Sequence, residues 1–234
     1  MSNEFTFRTK EISLPSGASV TIRGMKGREM NIFTDKKEMK DGEGVNKVAK
    51  SCVVKASEGF DYDTALQGDR YAIIVNIRIM TYKEKYKFKS ECPHCEENGS
   101  YEIDLTELDV KNLDGRPTTG LEFKLPIANR KLTYHLPTGK DEKELMKIQK
   151  NFPGQLFSAS MLVYTDKIEN EKMKTSDFFL DLEAEDIIAF QEDLDSKNCG
   201  VDTELELECP SCYKKFEMEL PITKDFFLPK NLKK

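Results

Sequence analysis

Tyr86-Lys87-Phe88-Lys89-Ser90-Glu91-Cys92-Pro93-His94-Cys95, followed by Tyr101-Glu102-Ile103-Asp104-Leu105, has a counterpart further along the chain. The counterpart is Thr203-Glu204-Leu205-Glu206-Leu207-Glu208-Cys209-Pro210-Ser211-Cys212, followed by Phe216-Glu217-Met218-Glu219-Leu220. On both sides of each Cys-Pro-x-Cys, apolar residues alternate with charged or polar ones. Tyr86/Phe88 and Leu205/Leu207 lead in, and Tyr101/Ile103/Leu105 and Phe216/Met218/Leu220 lead out. That period of two belongs to a strand with one face buried. Each stretch therefore predicts a β-hairpin whose turn carries two thiols, and the second pair follows the first by 117 positions.

The offset persists upstream. Gly68-Asp69 has Glu185-Asp186 as its counterpart, with Asp69 and Asp186 again 117 apart. Leu14-Pro15 is matched by Leu125-Pro126, 111 positions on, and Lys26-Gly27-Arg28-Glu29 by Thr138-Gly139-Lys140-Asp141, 112 positions on. Agreement in the same order at several places predicts an internal duplication. The expected fold is α+β, with two similar halves, each holding strands, about three helices and one Cys-Pro-x-Cys hairpin. The expected division is 1–115, with its hairpin at 82–107, and 116–234, with its hairpin at 201–222. The turn-forming stretch Asp114-Gly115-Arg116-Pro117-Thr118-Thr119-Gly120 is the expected join.

Within the halves, Val20–Ile22 reads as extended, and a helix is expected to open near Arg28. Val45, Val48 and Cys52 share a helical face. Gly68-Asp69 reads as a helix start with Asp69 as its cap. Ile73, Ile77 and Met80 then face the core, although so much isoleucine also suits a strand. Leu145/Ile148, Leu156–Tyr164 and Ile187/Phe190/Leu194 mark three further helices, the last with acidic residues in its first turn, as the helix dipole favours. Lys36–Gly44 is expected to be a solvated loop or a frayed helix end and Lys230–Lys234 a loose tail.

Six cysteines in a chain whose opening Met1-Ser2-Asn3-Glu4-Phe5 lacks a basic-then-apolar leader favour metal over disulfides. Zinc takes four thiolates in a tetrahedron, so one pair leaves it half-ligated. The expectation is one structural zinc shared by Cys92, Cys95, Cys209 and Cys212. The 113 residues between the pairs far exceed a compact zinc module, but two duplicated halves that meet would explain them. The rivals are a redox pair, buried free thiols, and a separate metal at each turn with His94 as an extra ligand. Cys52 reads as a buried small residue and Cys199 as an ordinary loop thiol.

The chain has 234 residues, 33% of them charged, and a net charge of −6. No apolar run is long enough for a membrane span. Glu84, Glu91, Glu96, Glu97, Glu204, Glu206 and Glu208 surround the lysines near the turns, which makes nucleic acid a poor partner. No phosphate-binding glycine loop or nucleophile elbow occurs. His135 reads as a strand histidine, and the run Asp177, Asp181, Glu183, Glu185, Asp186 as a solvated face. The expectation is therefore a protein that is not an enzyme and has no small-molecule substrate.

The ordered set Leu14-Pro15-Ser16-Gly17, Ile22-Arg23, Gly27-Arg28-Glu29, Lys50-Ser51-Cys52-Val53-Val54, Gly68-Asp69-Arg70, the first cysteine hairpin and Leu136-Pro137-Thr138-Gly139 resembles the baseplate protein family of T-even-type contractile-tailed bacteriophages, which includes the hub-assembly protein. The resemblance implies a non-enzymatic tail protein that helps build the central hub, as a subunit or as an assembly factor. It implies other hub proteins and the tape-measure protein as partners. The implied location is the cytoplasm of an infected bacterium or the virion tail. From Lys143 to Lys197 the resemblance is less clear.

Overall fold

A computed structural model describes residues 8–35 and 43–228. The expected N-terminal and C-terminal features, and positions 36–42 of the expected loop, lie outside the described residues.

The first half opens with β1 (Thr9–Ser13), β2 (Ser19–Arg23), α1 (Gly27–Ile32), α2 (Glu43–Cys52) and β3 (Val53–Ala56). It continues with α3 (Gln67–Tyr82), β4 (Lys85–Glu91) and β5 (Asn98–Asp104). After the short β6 (Val110–Lys111) the order recurs as β7 (Leu121–Lys124), β8 (Lys131–Tyr134), α4 (Gly139–Asn151), α5 (Leu156–Tyr164) and β9 (Thr165–Ile168). An extra short helix, α6 (Ser176–Leu180), precedes α7 (Ala184–Lys197) and β10 (Gly200–Val201). The second hairpin, β11 (Glu204–Glu208) with β12 (Lys215–Glu219), leads to the closing turn of helix α8 (Lys224–Phe227).

The parallels extend to small irregularities. Antiparallel sheets β1-β2-β3 and β7-β8-β9 each slip register once, between Thr21 and Ile22 and between Thr133 and Tyr134, which lie 112 positions apart. A carboxylate at the third helical position closes a capping box on each following helix, Glu29 on α1 and Asp141 on α4. An Asp beneath each Leu-Pro turn accepts backbone N–H groups: Asp69 from Ser16 at 2.9 Å, and Asp186 from Ile127 at 2.8 Å and Ala128 at 3.0 Å.

One open alternative closes here in favour of the helix, and two sequence expectations change. The isoleucine-rich segment is the 16-residue helix α3, with Ile73 and Ile77 fully buried. Asp69 does not cap it, since Leu66 holds that position without a side-chain bond. Asp186 is 0% exposed rather than solvated, because its carboxylate satisfies two amides that would otherwise be orphaned. Asp186→Ala is accordingly expected to cost about 2–3 kcal/mol in urea unfolding, the scale of hydrogen bonds to a charged group plus two stranded donors. A loss below about 1 kcal/mol would show that water replaces the carboxylate.

The cores do not follow chain order. One contains the first half together with the second hairpin and α8: Leu205, Leu207, Phe216, Phe226 and Phe227 pack with Ile22, Phe33, Ile73 and Tyr86. Phe227 stacks on Phe33 at 5.5 Å, and Phe226 meets Tyr86 edge-on at 4.9 Å. The other core gathers Leu125, Leu132, Tyr134, Met161, Phe179 and Phe190, with Leu113 and Cys199. Cys199, in the loop between α7 and β10, is thus buried. The chain passes between the cores twice, and the passages pair as β6 and β10.

Candidate metal centre

Each hairpin delivers its thiols through the same local chemistry. In the first, the Glu96 N–H donates to the Cys92 carbonyl at 2.9 Å and the Cys92 N–H to the Glu97 carbonyl at 3.0 Å. In the second, Tyr213 and Lys214 play those parts for Cys209, at 2.9 and 3.0 Å. Glu96 and Tyr213 both adopt left-handed backbone, φ 61° and 59°, and this turns the chain after the second cysteine back to pair with the incoming strand. The amides of His94 and Ser211 reach the sulfurs of Cys92 and Cys209, each at 3.4 Å. The proline between cysteine and amide fixes φ in the turn.

The hairpins meet over an aromatic layer. Tyr101 lies 5.7 Å from Phe88 and 6.0 Å from Phe216, one ring across the boundary between hairpins. The alternation of these residues predicts that they face inward, but not that they face each other. Above them, the sulfurs of Cys92, Cys95, Cys209 and Cys212 all lie within 4.8 Å of one another. Cys92 Sγ is 3.7 Å from Cys212 Sγ, and Cys95 Sγ is 3.7 Å from Cys209 Sγ. A disulfide needs about 2.05 Å. Tetrahedral zinc with Zn–S bonds of about 2.3 Å holds its sulfurs about 3.8 Å apart. The spacing therefore suits four ligands around one cation. Cys92 and Cys209 are fully buried, while Cys95 and Cys212 face partly outward.

Electrostatics point the same way. The Cys212 amide, opposed by burial and helped by the Ser211 amide, draws the Cys209 thiol down to about 6. Against the Glu97 amide, burial and the three neighbouring thiols push Cys95 up to about 12. Four thiols this close cannot all ionise alone, and a divalent cation removes that conflict.

The remaining candidates fall elsewhere. His94 Nε2 lies 3.2 Å from the Lys215 carbonyl oxygen, so its ring bridges the hairpins and leaves the sulfur cluster alone. Cys52 is buried at the end of α2, with its sulfur 3.7 Å from Arg23 Nη1 and its thiol pushed up to about 11 by burial. His135 follows β8 and sits between two carboxylates. Among the described residues, the four cysteines form the only cluster of three or more candidate metal ligands, and no helix is long and apolar enough to cross a membrane.

Compared with known families, residues 6–228 match the family described as T4 bacteriophage base plate protein. No curated protein and no solved structure gives a significant match.

Proposed function

The chain belongs to the T4 bacteriophage base plate protein family, and from that premise we propose that it is a non-enzymatic subunit or assembly factor of the baseplate hub, stapled by one structural zinc. The observation that carries the reading is the set of four sulfurs, two from each hairpin, within 4.8 Å of one another. Cys92, Cys95, Cys209 and Cys212 would hold the ion. Four thiolates leave no position for water or substrate, so its role would be mechanical. The recurring element order and the matched Asp69 and Asp186 support reading the chain as a duplicated unit, divided near residue 115. The ion would then join the two copies of one hairpin.

The absence of catalysis is part of the same proposal. A cleft of about 400 Å³ beside α3 is lined by Tyr71, Thr203, Glu219, Leu220 and Ile222. Its one carboxylate, Glu219, accepts a hydrogen bond from Thr203 at 2.5 Å, and the absence of histidine, cysteine or a second carboxylate from that lining supports the reading. Other hub proteins, and the tape-measure protein, are the proposed partners, either in the infected cell or in the virion tail. Tagged chain produced during infection is expected to co-sediment with hub-sized baseplate intermediates. Sedimentation only as free protein would defeat the assignment to the hub.

A zinc-ribbon module that binds nucleic acid is the second reading. The exposed edge of the second hairpin argues against it, because Glu204 faces Glu219 and Glu206 faces Glu217 across the strands. Glu204 is held above its ordinary value chiefly by Glu217. Salt-sensitive retention on DNA would favour this alternative.

A further inference from the structure

His135 is wedged between α4 and β9. Nδ1 lies 2.7 Å from Asp166 Oδ1, and Nε2 lies 3.2 Å from Asp141 Oδ1. A neutral imidazole has one N–H. It can serve one of these carboxylates but must turn a lone pair toward the other, whereas an imidazolium donates to both. The geometry therefore fits the charged ring.

The first half supplies a comparison. Arg23 and Glu29 stand 112 positions before His135 and Asp141, and Arg23 Nη2 meets Glu29 Oε1 at 2.9 Å. In each corner the same carboxylate also closes the capping box: Lys26 N–H to Glu29 and Thr138 N–H to Asp141, both 2.8 Å. The first corner holds a cation that keeps its proton at any ordinary pH, and the second holds one that can lose it. What hangs on the second corner is larger. Glu142, next to Asp141, pairs with Arg70 of α3, and the Gly139 N–H donates to the Ala65 carbonyl at 3.0 Å. The start of α4 is thereby tied to α3 and to the segment that leads into it.

We propose that His135 is a proton-operated clamp: charged, it binds the start of α4 to β9, and on losing its proton it frees α4 and loosens the contact that α4 makes with α3. The charged groups facing the ring are Asp141 of α4 and Asp166 of β9. Tyr164 of α5 accepts the His135 backbone N–H at 3.1 Å, with Glu142 of α4 and Tyr71 of α3 close by. The bond to Asp141, opposed by burial and reinforced by Asp166, holds the imidazole above its ordinary value. Burial raises the Asp141 carboxyl, but His135 and Thr138 outweigh it and hold the group below its usual range. A raised cation stabilises the fold fully below its unfolded value of about 6.5 and ceases to do so as pH climbs through the raised value. A depressed acid acts in the opposite sense, so the Asp141 contribution fades only as pH falls through its own lowered value. The clamp thus holds at mildly acidic pH and opens on the alkaline side.

Amide hydrogen exchange on the full chain, corrected for intrinsic rates, tests this between pH 5.5 and 9. Protection over 139–151 is expected to fall on the order of tenfold per unit by which the folded state raises the imidazole, while 27–32 stays level. In His135→Arg the α4 response should flatten. An equal slope in His135→Arg, or no loss in the wild-type chain, would overturn the clamp. Nitrogen NMR of the wild-type rings decides the matter even if the variant misfolds. The His135 ring should lose its second proton with a midpoint above the ordinary imidazole value of about 6.5, and a midpoint at or below that value refutes the proposal. None of these readouts depends on the metal.

Discussion

Cys209→Ser is expected to take the purified chain from about one zinc per molecule to none, and to lower its stability to that of chelated wild-type protein. A structural zinc contributes on the order of 10 kcal/mol to the folding of small modules, comparable with the whole net stability of a domain. Here the hairpins also rest on Phe88, Tyr101 and Phe216, so metal loss should melt the hairpin pair first and weaken the remainder. Because stabilisation by a ligand follows its binding to the folded state, chelator should lower the unfolding midpoint of the wild-type chain and leave Cys209→Ser unmoved. Cys52→Ala should retain the metal, since Cys52 lies at the end of α2, outside the sulfur cluster. Two zinc ions per chain, or one that survives Cys209→Ser, would mean that the turns do not share an ion.

Gly68→Ala is expected to destabilise by about 4 kcal/mol, the upper range for forcing an atom into packed structure. Intrinsic helix propensity predicts the opposite sign, since alanine is favoured over glycine by about 1 kcal/mol. The difference lies in what a Cβ would meet: the Cys199 carbonyl oxygen at 2.0 Å and the Gly200 Cα at 2.7 Å. Both are backbone atoms and cannot rotate aside. Gly200 answers from the other side with φ +148° and its own Cβ position 2.9 Å from Gly68 Cα. Helix α3 therefore crosses β10 glycine to glycine, beside the place where β10 pairs with β6 and the chain passes between cores. Urea unfolding should show an earlier midpoint. A Gly68→Ala chain as stable as wild type would mean that the two passages are loosely packed.

Much of the hairpin chemistry was legible beforehand. Tyr86, Phe88, Leu205 and Leu207 alternate because one face of each strand is buried, and that periodicity survives in any tertiary setting. The helices α2, α5 and α7 were readable for the same reason. Asp186 was not. It stands in an acidic run that suggests a solvated surface, and only the Leu125-Pro126 turn folding over it brings the Ile127 and Ala128 amides within reach. Asp69 has the sequence position of a cap, but its bond goes to Ser16, 53 residues earlier, and not to its own helix. Cys199 is a loop thiol as its neighbours suggest, but its burial depends on Gly68, whose helix packs against the Cys199 backbone. The share of α8 in the first core, through Phe226 and Phe227, had no signal beyond two adjacent aromatics.

The sequence by itself determined the local pieces: two thiol-bearing hairpins, the helical faces, and the order in which they recur. These depend on backbone sterics and on periodicities of two and 3.6 residues, which act over a few neighbours. Only the tertiary structure decided that the four sulfurs converge, that the second hairpin and α8 join the first core, and that His135 stands between two carboxylates where the matching corner has arginine. Those facts depend on distances between residues far apart in the chain. Burial and electrostatic pairing fix such distances only when the whole chain has closed on itself.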